Sequence, residues 1–336
     1  MIRLFANARY DFIGNRRWAY SITAAFVLPG LLWLAIRGIT YSIEFTGGAF
    51  VQVRTTEVVG TRAIRDALRT AGLTGEVQEF GAPTEFALRV RLGTEGVAEG
   101  ATEAVTAAVT RALDVGLGAG RYEILRTEAV SPKVGRELRE RAVIAVLFSF
   151  LVTLVYLGFR FEWRFGLGAV LATAHDILAT LAFIRYLDLE VSLVVVAAVL
   201  TVVGYSLNDT IVIFDRVREN LRKYRRQNLD DILNLSINET LPRTVLTGGT
   251  TIATALMLSF FAGEVIKPFA LVLSFGIIVG TFSSIFVASP ILLAIEKRWP
   301  GTDARGARVL RVGGEPAPAP PTGAPPAPGA RPKARV

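Results

Sequence analysis

Six apolar stretches leave this chain few ways to fold. They cover residues 18–36, 142–159, 165–187, 191–214, 244–262 and 268–295. At about 1.5 Å per residue, a helix of such length crosses a hydrocarbon layer of about 30 Å. No water satisfies backbone N–H and C=O groups in that layer, so segments of this kind span it as helices. The predicted fold is therefore a membrane α-helical protein with six transmembrane helices. The last stretch is long and is expected to tilt or break near Pro290. Arg16 and Arg17 precede the first, as they would a signal peptide. Its length of about 19 residues, with no small-residue cleavage site after it, predicts a retained anchor instead.

Composition excludes several chemistries. Hydrophobic residues make up 51% of the chain and charged residues only 20%. There is no cysteine, so disulfides, thiol chemistry and cysteine metal sites are out. The single histidine, His175, argues against a histidine metal centre. Gly47-Gly48 and Gly248-Gly249 lack the lysine and the strand-to-helix setting of a phosphate loop. No Ser/His/Asp constellation is convincing. The expectation is a protein that is not an enzyme and has no cofactor or metal. The net charge of +8 comes from basic residues beside the apolar stretches. That placement fits anionic lipid headgroups and topology rather than nucleic acid.

The short loops set the orientation. Arg3, Arg9, Arg16 and Arg17 lie before the first stretch, and Arg160 and Arg164 between the second and third. Arg216, Arg218, Arg222, Lys223, Arg225 and Arg226 follow the fourth, and Lys297, Arg298, Arg305, Arg308 and Arg311 follow the sixth. The other connections are poor in basic residues, with only Arg185 and Lys267. The positive-inside rule then predicts cytoplasmic termini, 1–17 and 297–336, and an extracytoplasmic segment, 37–141. The tail from about 315 is dominated by Pro, Ala and Gly and is expected to be disordered. Residues 215–242 begin as a basic loop. Leu229, Ile232, Leu233, Ser236 and Ile237 then follow at helical spacing, predicting an amphipathic helix lying on the inner membrane face in contact with lipid.

The extracytoplasmic segment reads as a folded domain. Residues 49–54 alternate as a strand, 58–71 have helical spacing with Gly72 as a stop, and 77–80 and 85–92 flank Gly81-Ala82-Pro83 as strands. Residues 97–113 are Ala-rich and helical, and 121–130 form a last strand. The order β-α-β-β-α-β predicts an α+β ferredoxin-like domain between the first two spans. A connector beginning at Ser131-Pro132-Lys133 leads into the second span, within the membrane region 142–296.

Charge inside the spans is the functional signal. Asp209 lies in the fourth stretch, where an ionised carboxylate costs at least about 2.5 kcal/mol, so it marks a functional site by default. Thr201, Tyr205, Asn208 and Asp209 share one stripe, and Arg243, Thr247, Thr250, Thr251 and Thr254 share another on the fifth stretch. Asp209 sits about 8 Å before the inner end of its helix, and Arg243 starts the next helix on the same side, so the two charges are matched in depth. An Arg neighbour favours the charged form of Asp, and burial favours the neutral form. Separating such a pair would let Asp209 take up and release a proton. The plainer reading is a static ion pair between helices. His175-Asp176, near mid-membrane on the third stretch, either extends a relay or makes a satisfied helix contact. Gly276 and Gly280 form a small-xxx-small pattern for close packing.

These residues carry a resemblance. Ile43-Glu44-Phe45-Thr46-Gly47-Gly48, Ala174-His175-Asp176, Gly204-Tyr205-Ser206-Leu207-Asn208-Asp209-Thr210 through Phe214-Asp215-Arg216, and Arg243-Thr244 leading to Thr250-Thr251 resemble the SecF family of bacterial protein-export membrane subunits. The resemblance covers about residues 10–298, and Glu44 departs from it by standing where Asp is expected. It implies a SecD-like partner that supplies six more spans to a pseudo-twofold unit, similar to resistance-nodulation-division transporters. It further implies association with the SecYEG channel, preprotein substrates, and use of the proton motive force to draw preproteins across the cytoplasmic membrane. On it, Asp209 matches a proton-path aspartate and Arg243 a required membrane arginine. Asn208, Tyr205, Thr247, Thr250, Thr251, His175 and Asp176 are candidate supporting polar residues by their place in the spans, and the resemblance implies a second relay aspartate on the partner. An Asp carboxylate would serve H⁺ or Na⁺. Two other readings stay open: half of a proton-coupled small-molecule exporter, and a structural membrane scaffold.

Overall fold

The computed structural model describes residues 9–299 except 74, 91–100, 225–226 and 264. The expected tail, and residues 97–100 of the Ala-rich helix, lie outside the described residues. Six helical segments are long and apolar enough to cross a membrane. They are α1 (Arg16–Arg37), α5 (Pro132–Arg160), α6 (Trp163–Tyr186), α7 (Leu193–Lys223), α8 (Leu229–Phe261) and a last one built from α9 (Lys267–Ser283), a π-helical turn (Ser284–Ala288) and α10 (Ser289–Arg298). Between α1 and α5 lie a short α2 (Ile43–Thr46), β1 (Gly48–Thr55), α3 (Thr61–Thr70), β2 (Gly75–Phe80), β3 (Ala82–Val90), α4 (Ala101–Gly116) and β4 (Tyr122–Val130).

The four strands form one sheet in the order β2-β3-β1-β4, with every pair antiparallel. Alternation along β1 puts Ala49, Val51 and Val53 on the covered face. They meet Ile64 and Leu68 from α3, Val105, Val109 and Leu113 from α4, and Phe86 and Leu88 from β3. This core is dry and aliphatic, with Phe86 as its largest side chain. At its edge the Tyr122 hydroxyl lies 2.8 Å from Asp114 Oδ1 and 2.9 Å from the Thr110 carbonyl, tying β4 to α4. Burial, then the Asp114 hydrogen bond and charge, push this phenol up to about 12.

A raised phenol acts in one direction. The folded state holds the Tyr122 proton to higher pH than the unfolded chain, so its contribution is complete below the ordinary value near 10 and is lost as pH rises to about 12. Thermal stability of the detergent-solubilised protein should therefore slope downward across that window. Tyr122→Phe should flatten the slope, and an unchanged slope would refute the assignment.

The sheet unit is fastened to the helices through residues 187–193. Val191 N donates to Thr40 O at 2.9 Å and Ser42 N to Val191 O at 3.0 Å. Arg89 of β3 pairs with Glu190. Glu44 Oε2 accepts from Leu193 N at 2.6 Å, in the first turn of α7, beside the Ser192 cap that accepts from Val195 N. The longer arm of Glu44 thus still reaches a free helix-end N–H, the kind of donor a capping carboxylate satisfies.

The expected surface helix within 215–242 is not what forms. α7 continues to Lys223 and α8 starts at Leu229, running unbroken through Pro242. Leu229, Leu233 and Ile237 are buried in one cluster with Ile13, Phe161 and Leu293 rather than turned to lipid, and Ile232 is buried as well. Polar contacts hold the covering segment in place: Asn234 Oδ1 accepts from Ile13 N at 3.0 Å and Asn238 Oδ1 from Tyr10 N at 2.9 Å. Ion pairs tie helix ends together here: Arg160 with Asp215 at 2.8 Å and Arg216 with Glu239 at 2.7 Å. The expected break near Pro290 takes the form of the π-helical turn just before it.

Candidate functional site

The sixth span builds the site. Gly276 and Gly280 of α9 let α7 approach closely. A Cβ on Gly276 would collide with Val202, and one on Gly280 would come within 2.9 Å of Ser206 Cβ. The small-xxx-small pattern is thus a real helix contact. The π-turn begins at Ser284, one residue after Ser283, and the two adjacent hydroxyls reach carboxylates on two different helices.

Asp209 on α7 is held from two sides. Thr244 Oγ1 of α8 donates to its Oδ1 at 2.7 Å, and Ser284 Oγ donates to its Oδ2 at 2.5 Å. Asp176 on α6 has a fully buried side chain. Its Oδ2 accepts from Ser206 of α7 and from Ser283 at 2.8 Å, and its Oδ1 faces His175 Nδ1 at 2.9 Å. Ser206 precedes Asp209 by three residues, so the two carboxylates stand about one helical turn apart in depth. Burial in hydrocarbon without such donors would be prohibitive, and with them each carboxylate has a defined hydrogen-bond shell.

Arg243 does not complete an ion pair with Asp209. It is near enough to act on the carboxylate electrostatically, but among the described residues no hydrogen bond or salt bridge joins them. Matched depth brought the right turn of α8 to the site. The helix rotation gives the contact to the next residue, Thr244, and turns Arg243 outward. Tyr205 sits against Gly248 and reaches Thr251. Thr250 and Thr251 bond back to the carbonyls of Leu246 and Thr247, at 2.9 and 2.8 Å, as helix-borne threonines do. Asn208, Arg243, Thr247, Thr250 and Thr254 are exposed and line one polar face across α7 and α8. Ser206 and Thr244 stood in the motifs that carry the resemblance but with no role of their own, and Ser283 and Ser284 were not singled out from sequence. The one available signal was a serine pair, Ser283-Ser284, inside a run of aromatic and aliphatic residues.

Six helices of spanning length, with a buried carboxylate, Asp176, and a half-buried one, Asp209, define a polytopic α-helical membrane protein with ionisable groups between its spans. Residues 112–298 match the family described as protein export membrane protein SecD/SecF, C-terminal. The chain belongs to this SecD/SecF family. It is 52% identical over 326 residues to a protein named protein translocase subunit SecF from Gemmatimonas aurantiaca, covering 93% of this chain and 95% of that one. With the SecF of Rickettsia felis the identity is 40% over 300 residues, covering 88% and 96%. The crystal structure of SecDF, a translocon-associated membrane protein from Thermus thermophilus, superimposes with a TM-score of 0.77 at 35% identity. A SecDF structure described as a super-membrane-facing form gives 0.63 at 34%. Each alignment covers 87% of this chain but only 39% of the SecDF chain, so this chain spans well under half of that protein.

Proposed function

We propose that this chain is the SecF-type subunit of an accessory complex of the Sec translocon. Working with a SecD-type partner in the bacterial cytoplasmic membrane, it uses the proton motive force to promote preprotein movement through the SecYEG channel. The observation that carries this is Asp209: a carboxylate at membrane depth, held by hydroxyls from two other helices and next to an arginine. Proton-path residues in membranes have this character. The two hydroxyls on the Asp209 oxygens can donate to a carboxylate or accept from a carboxylic acid, so the site accommodates both protonation states.

The polar face supports the partner. Asn208, Arg243, Thr247 and Thr250 are exposed on α7 and α8, and an arginine facing lipid at such a position is costly. A second polytopic subunit covering that face removes the cost. By contrast α5 turns Leu147, Phe148, Leu151 and Val155 outward, a surface suited to lipid. The sheet order β2-β3-β1-β4 with two helices on it supports a ferredoxin-like reading, and basic loops at the opposite helix ends support an extracytoplasmic position for that domain. Protonation of Asp209 weakens its charge-assisted hydrogen bonds, and α7, α8 and the π-turn then shift against one another. The tie between Glu44, Glu190 and residues 187–193 carries the shift to the sheet domain.

The test uses inner-membrane vesicles containing the SecD-type partner, the channel and the motor ATPase, with and without this chain. Preprotein translocation should rise when a proton gradient is imposed only if the chain is present. Equal stimulation in its absence would refute the function.

A further inference from the structure

Asp176 has no role in the mechanism above, yet it is the most deeply buried carboxylate described in the spans. We propose that Asp176 is a second protonation site of this chain, coupled to Asp209 by the Ser283–Ser284 pair at the start of the π-turn. The inference rests on the proton-driven function proposed for Asp209 and names a further residue for it.

Three features of the packing point this way. First, α9 already packs on α7 through Gly276 and Gly280, and small residues of α6, Ala172 and Ala179, are buried in the bundle. Such contacts form without a carboxylate, whose burial opposes folding. Second, the donors to Asp176 and Asp209 are interleaved. Ser206 and Asp209 sit a turn apart on α7, and Ser283 and Ser284 are consecutive on the last span. One short segment therefore answers to both acids. Hydrogen bonds to an ionised acceptor are roughly twice as strong as those to a neutral one, so protonating either acid loosens its serine and moves the residue that holds the other. Third, the segment that couples them is π-helical, a local register change found most often at functional sites.

The charged and titratable surroundings are few. His175, adjacent on α6, contacts Asp176 Oδ1, and its Nε2 is buried with no partner among the described residues. From α7 and α9 the groups facing Asp176 are the hydroxyls of Ser206 and Ser283. Asp209 is the next acid along α7. Asp176 stands about one turn nearer the sheet end than Asp209, so a proton moving from outside to inside meets Asp176 first.

The experiment is infrared difference spectroscopy of the assembled complex during pH titration, paired with gradient-driven translocation in vesicles. Asp209→Asn should abolish the gradient-dependent increment and leave a buried carboxyl band that still titrates and that disappears in the Asp176→Asn/Asp209→Asn double variant. Asp176→Asn alone should also abolish the increment. Ser283→Ala, a near-isosteric change that preserves packing, should shift the titration midpoints of both acids. The proposal is overturned if Asp209→Asn and the Asp176→Asn/Asp209→Asn double variant show the same titrating carboxyl bands, or if Asp176→Asn keeps the full increment while Asp209→Asn loses it. If Asp209→Asn itself keeps the increment, the proton-driven function fails instead.

Discussion

Asp209→Asn should assemble with its partner and lose all gradient-dependent translocation. Asparagine is nearly isosteric: its Oδ1 accepts from one of the two hydroxyls that sit 2.7 and 2.5 Å from the carboxylate, Thr244 or Ser284, and its amide N–H donates to the oxygen of the other. Helix packing is therefore kept, and thermal stability should change by no more than about 1 kcal/mol, the net worth of an ordinary hydrogen bond. What is lost is the ability to gain and release a proton. A charge crossing 100 mV is worth about 2.3 kcal/mol, and that driving term is absent from the variant. ATP-driven translocation without a gradient should be unchanged. Asp209→Glu keeps the ionisable group but moves it from the two hydroxyls, so partial activity is expected. Full activity of Asp209→Asn, measured as precursor protected inside vesicles, would reduce the residue to a helix contact.

The second large effect is structural. Gly276→Leu places a branched side chain where even a Cβ collides with Val202. Val202 is itself buried, and α9 is packed against α7 along this line, so relief requires the helices to separate. Overpacking of this kind costs about 1–3 kcal/mol and at times more. Separation would also pull Ser283 and Ser284 from their acids. The variant should melt well below the wild type in detergent and lose the gradient-dependent increment, as vesicles lacking the chain do. The lowered melting distinguishes it from Asp209→Asn. Gly249→Ala is the control, since nothing lies within 4 Å of a Cβ there. A Gly276→Leu protein with wild-type melting and activity would contradict the close α7–α9 contact.

The spans were legible because hydrocarbon imposes one secondary structure on any long apolar run. The sheet was legible because Val51 and Val53 alternate with Gln52 and Arg54, and the elements follow one another along the chain in the expected order β-α-β-β-α-β. The stretch around Leu229 misled for a physical reason. An apolar face at helical spacing looks the same whether it meets lipid or protein, and what covers this one is Ile13 and Leu293, both far away in sequence. The site was half legible. Depth could be counted along α7 and α8, which brought Asp209 to the right turn of α8. Which residue of that turn faces the carboxylate depends on rotation about the helix axis, and one step of about 100° gives the contact to Thr244 instead of Arg243. Ser283 and Ser284 carry their meaning only through the π-turn that aims them, and that turn has no clear signature in sequence.

The central claim is that Asp209 moves protons as part of translocation. The most direct measurement is proton entry into vesicles holding the complete complex, followed by an internal pH dye while a preprotein is being exported. Wild type should show proton uptake that begins with export and stops when the preprotein is exhausted, and Asp209→Asn should show none above leak. Equal proton uptake in the two proteins, or none in wild type during active gradient-stimulated export, would contradict it.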